Sequence, residues 1–225
     1  MKNRTIAGSI GAEIRQRILD GRYPAGSQLR QDGLAAEFGA SRIPVREALF
    51  QLEAEGLVRI HPHRGATVAP LSPADAAEAL ELRSILEPRL LALSAPRLTE
   101  ADFDHADRLL DDYAAALRDG ATARWGTLNT QLHLLLYSRA DRPRSLGLVG
   151  SLLTECDRYT RVQLSTDAAE LERADREHRE IVRLCRNGHA SAACALLFDH
   201  ITHVSTALLA FLGEPKARAE NVQIV

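Results

Sequence analysis

The spacing of apolar residues changes character about seventy residues into the chain. Between Thr5 and Asp20 an isoleucine recurs at every fourth position, which predicts an amphipathic helix. Leu57–Ile60 and Ala66–Ala69 are short apolar runs joined by His61-Pro62-His63-Arg64-Gly65, a pattern typical of a β-hairpin. From Pro73 onward strand signals vanish and helical spacing continues. We therefore expect a small mixed unit followed by an all-helical one.

Two helices joined by a tight turn are predicted within the first unit. Leu34–Phe38 forms a short helix, and Gly39 interrupts it, since glycine tolerates a positive φ. Ser41 is a suitable N-cap for a second helix that runs to about Glu55, and Pro44 fits just inside its start. The apolar face of this second helix carries Val45, Leu49 and Leu52, and the opposite face carries Arg42 and Arg46.

This helix, turn, helix and basic hairpin suit double-stranded DNA. A recognition helix enters the major groove N-terminus first, where its free N–H groups also favour a phosphate oxygen. Arginine pairs in two-pronged fashion with guanine or phosphate, and Gly65 at the hairpin tip permits close backbone approach. An ordinary packing unit with solvated arginines is the alternative. The agreement of turn, glycines, proline and basic tip favours DNA binding.

Six helices with short loops, an antiparallel all-α bundle, are predicted for the second unit. Ser72 caps the first, which starts at Pro73, and Pro88 should kink or break it. Thr99-Glu100-Ala101-Asp102 opens the second helix as a capping box. The remaining four are expected near residues 121–139, 143–164, 166–187 and 190–212.

Charge distribution agrees with two units of different function. The whole chain has a net charge of −2, which alone gives no hint of nucleic acid. Residues 1–70 carry ten basic and seven acidic side chains, leaving 18 basic and 23 acidic for residues 71–225. A basic amino-terminal part joined to an acidic part fits a DNA-binding module attached to another function.

Cysteine usage and the absence of targeting signals predict a cytoplasmic protein. Cys156, Cys185 and Cys194 form no CxxC motif, and reduced thiols are the simplest interpretation. The amino terminus lacks an apolar core of signal-peptide length. No apolar run is expected to reach the ~20 residues of a membrane span, so no membrane partner is predicted.

Three of the eight histidines lie in the middle of separate predicted helices, among apolar neighbours. They are His133, His178 and His200, and Asn129 shares a helical face with His133. Buried imidazoles need partners, and a divalent metal would satisfy three that converge. Three separate, hydrogen-bonded histidines are the alternative. Spacing alone favours that alternative, because no HxxxH or HExxH motif occurs.

The segment Gly21–Val68 resembles the winged helix-turn-helix of the GntR family of bacterial transcription regulators. SRIPVREAL and HPHRGATV are its most specific parts. The resemblance implies operator contacts by Arg30, Ser41, Arg42, Pro44, Arg46, Arg64 and Gly65. Ile43 stands where the commonest pattern has threonine. That change removes a hydroxyl able to bond phosphate or base, so operator preference is expected to differ.

Residues 73–212 resemble the FCD effector domain of the FadR-type branch of the same family. The matching segments are ELRSILEP, NTQLH, EHREIVRLCRNG and ALLFDHI. The resemblance implies a divalent metal, with zinc preferred over nickel or manganese, held by Asn129, His133, His178 and His200. Asn129 replaces the commoner aspartate, which should weaken metal retention. Leu132 replaces the usual phenylalanine, which leaves a roomier wall.

Open coordination positions on such a metal would accept a small carboxylate. Arg83 is the candidate for a second clamp on that effector, because arginine pairs in two-pronged fashion with carboxylates. A surface arginine paired with Glu87 at i+4 is an equally weighted alternative.

The predicted organisation is a winged helix-turn-helix DNA-binding domain at 1–70, a metal- and effector-binding and dimerisation domain at 71–213, and a tail at 214–225. The predicted function is that of a transcription regulator, in the commoner mode a repressor, that binds palindromic operator DNA as a homodimer and is not an enzyme. A metal sensor, a dimerisation scaffold and a metal-dependent hydrolytic enzyme are the alternatives.

Overall fold

The computed structural model describes residues 5–61, 64–70, 72–119, 122–164 and 168–213. They divide into two compact units, one ending at Ser72 and one comprising Pro73–Gly213. The described part of the chain is mostly helical, with a small sheet confined to the first unit. The predicted fold class is therefore confirmed.

The first unit packs three helices against a small antiparallel sheet. Its elements are α1 (Ile6–Leu19), β1 (Gln28–Leu29), α2 (Gln31–Glu37), α3 (Arg42–Ala54), β2 (Val58–His61) and β3 (Gly65–Val68). Helix α1 packs against α3 and buries Ile10, Ile14 and Ile18, whereas Ile6 at its start is exposed. Val45 and Leu49 of α3 are fully buried. The predicted helix-turn-helix is present, and Gly39 adopts a φ of +58° in the turn. Ser41 is the N-cap residue of α3, although its side chain makes no capping hydrogen bond.

The sheet has the strand order β1-β3-β2 and contains one strand that the sequence pattern did not predict. β1 is two residues long, too short to display an alternating pattern, and it pairs Leu29 with Ala66 of β3. Gly65 begins β3 with a φ of +84°, and a Cβ there would lie 2.7 Å from the Leu29 carbonyl oxygen. The close pairing of β1 with β3 therefore requires glycine at this position.

The second unit is the predicted bundle of six helices. Its elements are α4 (Pro73–Ser94), α5 (Glu100–Arg118), α6 (Thr122–Tyr137), α7 (Pro143–Leu164), α8 (Ala168–Arg186) and α9 (Ala190–Gly213), with a short 3-10 turn at Ala95–Arg97. The capping box before α5 is formed. The Thr99 amide donates to Asp102 Oδ2 at 2.9 Å, and the Asp102 amide to Thr99 Oγ1 at 3.4 Å.

α4 runs unbroken through Pro88, so of the kink or break predicted there the break is wrong. A proline inside a helix costs roughly 3 kcal/mol because one backbone hydrogen bond is lost. Leu80 before the proline and Leu90 and Leu91 after it are all buried. Each buried leucine contributes about 1.5–3 kcal/mol, so packing on both sides outweighs the cost.

α9 corrects the expectation that no apolar run reaches the length of a membrane span. Its residues Ala190–Phe211 are long and apolar enough to cross a membrane, with a mean hydropathy of 1.4 over the most apolar window. The helix packs against α4 and α8, and it buries Leu197, Ile201 and Leu208. Core helices of bundles have the same composition, so this is weak evidence for a span.

Candidate nucleic-acid interface and metal centre

The first unit carries a basic groove between α2, α3 and the β2–β3 hairpin, which we call the reading groove. Five of the predicted DNA-contacting residues line it: Arg30, Arg42, Arg46, Arg64 and Gly65. The four arginines are exposed. Ser41 and Pro44 lie at the start of α3 and do not belong to the groove lining. The fold thus collects guanidinium groups from three elements along one face, as binding to phosphate and base edges requires.

Two residues that the sequence did not single out organise this groove. Gln28 of β1 donates from Nε2 to the Arg64 carbonyl oxygen at 3.1 Å and accepts from Arg30 Nε at 3.2 Å. Asp32 of α2 forms an exposed ion pair with Arg42. Asp32 therefore competes with DNA phosphates for the charge of Arg42.

The second unit brings the three predicted histidines together at its centre. His133 of α6, His178 of α8 and His200 of α9 are all buried, with ligand nitrogens within 4.8 Å of one another. His133 Nε2 and His178 Nε2 are 3.2 Å apart. Two imidazoles bound to one zinc at ~2.1 Å would place their nitrogens roughly 3.0–3.4 Å apart. The donor set and spacing therefore fit a divalent metal after a small closing movement of the third ring.

Carboxylates orient two of these three imidazoles. His133 Nδ1 lies 2.7 Å from Glu87 Oε2, and the Tyr137 hydroxyl donates to the same oxygen at 2.6 Å. His200 Nδ1 lies 2.6 Å from Glu177 Oε2. Each contact leaves the other ring nitrogen, Nε2, as the available ligand atom. Carboxylate-oriented histidines of this kind are typical of metal sites in proteins.

The two orienting carboxylates, buried Glu87 and partly buried Glu177, stay ionised because positively charged partners accompany them. Burial alone would raise the pKa of Glu87, but the charge of Arg83 and the contact with His133 outweigh it and hold that pKa well below its usual range. Burial would likewise raise the pKa of Glu177. The bonds from its imidazole partner and from Arg173 lower it instead, to about 2.

Two of the three imidazoles, those of His178 and His200, are held in the neutral, metal-binding form. Burial lowers the pKa of His178 well below its ordinary value, and the neighbouring His200 and His133 add to that effect. Burial also lowers the pKa of His200, although its contact with Glu177 opposes the shift. Neutral imidazole beside ionised carboxylate is the protonation state that a metal requires.

Two buried nitrogens near this centre have no hydrogen-bond partner among the described residues. They are His178 Nδ1 and Trp125 Nε1. A buried donor without a partner costs about 1–3 kcal/mol, and native proteins usually satisfy such groups with water or ligand. These two nitrogens could therefore form hydrogen bonds with water or with a bound ligand.

A cavity of ≈ 50 Å³ adjoins the histidines. Its lining includes Arg83, Asn129, His178, His200 and Trp125. Trp125, Asn129 and His133 recur at four-residue spacing and so share one face of α6. Asn129 therefore lies beside the cluster, where sequence reasoning placed it. Trp125 and Tyr137 were missed, although their four-residue spacing from Asn129 and His133 was a signal for both.

Arg83 is buried, which rules out the surface alternative. Only 4% of the residue is exposed. Its Nε donates to Glu87 Oε1 at 2.5 Å, and the residue lines the cavity. Arg83 is thus paired with Glu87, as the alternative expected, but the pair lies inside the bundle and beside the cavity.

Gly126 and Asp157 shape another wall of the same cavity. A Cβ on Gly126 would lie 1.3 Å from Asp157 Oδ1. The carboxylate therefore occupies space that any other residue at 126 would fill, and this close approach explains the glycine within α6.

Two family descriptions match the chain. Residues 6–68 match the description "Bacterial regulatory proteins, gntR family", and residues 78–203 match the FCD domain. The two matches coincide with the reading groove and with the histidine centre, respectively.

Whole-length relatives agree with these matches. The transcriptional regulator LutR of Bacillus subtilis is 30% identical over 215 residues, which covers 88% of this chain and 98% of LutR. A probable D-xylose utilization operon transcriptional repressor of Paenarthrobacter nicotinovorans is 28% identical over 200 residues, 88% of this chain and 86% of the repressor.

Solved structures share the fold. Escherichia coli McbR/YncC superposes with a TM-score of 0.79 at 20% identity, covering 91% of this chain and 97% of McbR/YncC. A GntR family member from Pseudomonas syringae pv. tomato is 36% identical with a TM-score of 0.53, covering 92% and 87% of the two chains.

Fold, groove and relatives together define a DNA-binding transcriptional regulator and not an enzyme. The chain belongs to the GntR family and, through its FCD domain, to the FadR-type branch. The hydrolytic alternative is therefore wrong.

Proposed function

We propose that this regulator is a cytoplasmic repressor whose operator binding is controlled by a small carboxylate bound at a divalent metal. The observation that carries the proposal is the convergence of three buried imidazoles on α6, α8 and α9, two of them oriented by carboxylates. We propose repression because the Paenarthrobacter relative is a probable transcriptional repressor. The domain boundaries at 70 and 213 are part of this proposal.

His133, His178 and His200 would hold the metal, with the Asn129 side-chain oxygen as fourth ligand. Imidazole nitrogens suit zinc and nickel, and an amide oxygen would suit manganese. We propose zinc because it favours nitrogen-rich sites of low coordination number. The metal would supply a positive charge and open positions for an anion. The neutral amide of Asn129 adds no charge, so retention should be weaker than with an aspartate.

The size of the cavity limits the effector. A volume of ≈ 50 Å³ accommodates several water-sized groups, far less than the ~300–1,000 Å³ of pockets for drug-sized ligands. Carboxylates of two to four carbons therefore fit best. Arg83 would contact the carboxylate end remote from the metal.

Charge around the cavity makes effector binding depend on the metal. Two guanidiniums face more numerous carboxylates in this region. Arg83 pairs with Glu87, Arg173 pairs with Glu170 and Glu177, and Asp157 adds a further acid at the wall. An organic anion entering without a metal would meet net negative charge. We therefore expect no carboxylate binding by the metal-free protein.

The metal is tested first, by elemental analysis of purified protein after zinc loading and desalting. Wild type is expected to retain about one zinc per chain, and the double variant His133→Ala, His178→Ala to retain none and melt at a lower temperature. The matched control is His105→Ala, His189→Ala, which removes two exposed histidines outside the cluster. Full zinc retention by the cluster variant would refute the ligand set.

The effector is tested by calorimetric titration with acetate, glycolate, malonate and succinate, with zinc-loaded and zinc-free protein. At least one acid is expected to bind the loaded protein alone and to weaken its binding to operator DNA. By linkage, that acid must then bind less well to the operator-bound protein. Equal binding with and without zinc would contradict the proposal.

A metal sensor is the second candidate, favoured by the enclosed cluster and the small cavity. In that case operator affinity would follow zinc concentration in buffer free of organic acids. Operator affinity that is constant across zinc concentrations, with a response only to added acid, would exclude the sensor.

A homodimer on a palindromic operator is the assembly we propose, because a two-fold protein matches a two-fold site. Leu82 and Ile85 on α4 and Phe198 on α9 are large exposed apolar side chains on helices that pack together. A second copy of this chain is the proposed occupant of that face. Ile85→Glu should give a monomer by light scattering after size exclusion, whereas Leu148→Glu, an exposed leucine on α7, should remain dimeric. Unchanged dimers of Ile85→Glu would move the interface elsewhere.

A further inference from the structure

Helix α3 exposes a large apolar side chain at the end that reads DNA. Ile43 is 64% exposed and lies between Arg42 and Pro44 in the first turn of the helix. The N-terminal residues of a recognition helix contact base edges. Ile43 itself is outside the lining of the reading groove, but Arg42 and Arg46 on the same helix attract the polyanion to this surface. Ile43 is therefore covered when the regulator binds its operator.

The chemistry of isoleucine limits what it can recognise there. Its side chain has neither hydrogen-bond donor nor acceptor, so it gains from contact with apolar surface only. In the major groove the apolar group that distinguishes one base pair from another is the C5-methyl of thymine. A branched side chain is stiff about χ1, and Pro44 fixes the adjoining backbone. The Ile43 side chain is therefore held in position before it contacts a methyl group.

The position of Ile43 relative to Arg46 fixes where that thymine lies. Residues three apart share one helical face, with Cβ atoms ≈ 5–6 Å apart. Successive bases are separated by 3.4 Å along one strand. The two side chains therefore reach bases one or two steps apart.

We propose that Ile43 is a specificity-determining residue of this regulator, recognising a thymine C5-methyl within two base pairs of the base contacted by Arg46. The proposal rests on the DNA-binding function of the family and not on the metal or the effector. It predicts a thymine in each operator half-site whose methyl group, and not its hydrogen-bonding edge, is read.

Replacement of single thymines by deoxyuridine tests this directly, because it removes the methyl and keeps every polar group. The duplex used is one selected by the full-length protein from a randomised pool, and each thymine is replaced in turn. For wild type, one thymine per half-site should weaken binding about fourfold when demethylated, the factor expected for one buried methyl. For Ile43→Ala the same replacement should have no effect.

Ile6→Ala is the matched control. Ile6 is also a large exposed apolar residue, but it lies in the first turn of α1 and not on the recognition helix. This variant should keep the wild-type sensitivity to demethylation. The proposal is overturned if no replacement changes wild-type affinity by more than about 1.5-fold, or if Ile43→Ala stays as sensitive as wild type. Equal melting temperatures of the three proteins show that folding is not involved.

Discussion

The two units of this regulator use arginine in opposite ways. In the reading groove Arg30, Arg46 and Arg64 are exposed, and Arg42 has an exposed ion pair with Asp32. In the bundle, Arg83 is buried against Glu87, which is wholly inaccessible. An exposed guanidinium loses little when it exchanges water or a weak surface pair for a phosphate. The charge of a buried one is already balanced by its carboxylate, although its other N–H groups can still donate to a ligand.

The difference shows which charges are available for binding. The exposed guanidiniums of the groove are available to bind phosphate, so the affinity of the groove for DNA should fall steeply with salt. The cavity has no uncompensated positive charge of this kind, because its arginines already balance the carboxylates that orient the histidines. An anion at the histidine centre therefore depends on a charge brought from outside the chain, which is the reason for expecting a metal.

The largest expected effect comes from removing the carboxylate partner of each arginine. Glu87→Ala leaves Arg83 buried and unpaired, so we expect a loss of about 3–5 kcal/mol in the free energy of unfolding. Asp32→Ala removes the equivalent partner of Arg42 at the surface and should change stability by about 0.5 kcal/mol or less. Urea titration of both variants measures the contrast, and equal losses would abolish the distinction drawn here.

Two helical glycines, one at the cavity wall and one at the surface, provide a similar contrast. Gly126→Ala forces the Asp157 carboxylate aside and should destabilise by about 1–3 kcal/mol. Gly147, on α7, has no atom within 4 Å of an added Cβ. Gly147→Ala should therefore stabilise by roughly 0.5–1 kcal/mol, as alanine replaces glycine in an open helix. Thermal unfolding distinguishes the two signs, and a stabilised Gly126→Ala variant would contradict the tight wall.

In the reading groove, Arg46→Ala should cost about 1–3 kcal/mol of operator binding if Arg46 reads a base. Arg22→Ala, an exposed arginine outside the groove lining, should cost much less. Gel-shift titration at constant salt provides the measurement, with zinc content as a check that the bundle is intact. Unchanged affinity would remove Arg46 from the interface.

The smallest effect, of opposite sign, concerns Asp32. Asp32→Asn frees Arg42 and removes a negative charge from the groove, so operator binding should tighten roughly three- to tenfold. Asp20→Asn, also exposed but outside the groove lining, should have little influence. Weaker binding by Asp32→Asn would show instead that the pair positions Arg42 for DNA.

The sequence predicted most of the helices because apolar spacing, caps and glycine stops agree within each of them. α7 was predicted with its observed ends, and the histidines were placed on helical faces that do converge. β1 was missed because two residues carry no alternation, and its pairing depends on β3 across the chain. A break at Pro88 was wrongly expected. The tendency of proline to interrupt a helix is local, and it does not take account of the buried residues that pack before and after Pro88 in α4.

Only some of the contacts that form the histidine centre could be predicted from the sequence. Glu177 is adjacent to His178 in the chain but bonds His200, a partner that only the packing of α8 against α9 creates. Glu87 was seen as an i+4 partner of Arg83, although burial gives that pair its role. The pairing of Asp32 with Arg42 likewise joins two helices, and nothing in the local sequence specifies it.

Trp125 is the one tryptophan in the chain, and it lines the cavity beside the histidines. Its emission therefore originates entirely from the second unit, while the first unit contributes no fluorescence at the wavelengths that excite indole alone. Quenching or a spectral shift would report occupation of the cavity in the native protein, with no dye attached, even while the same molecules are bound to operator DNA.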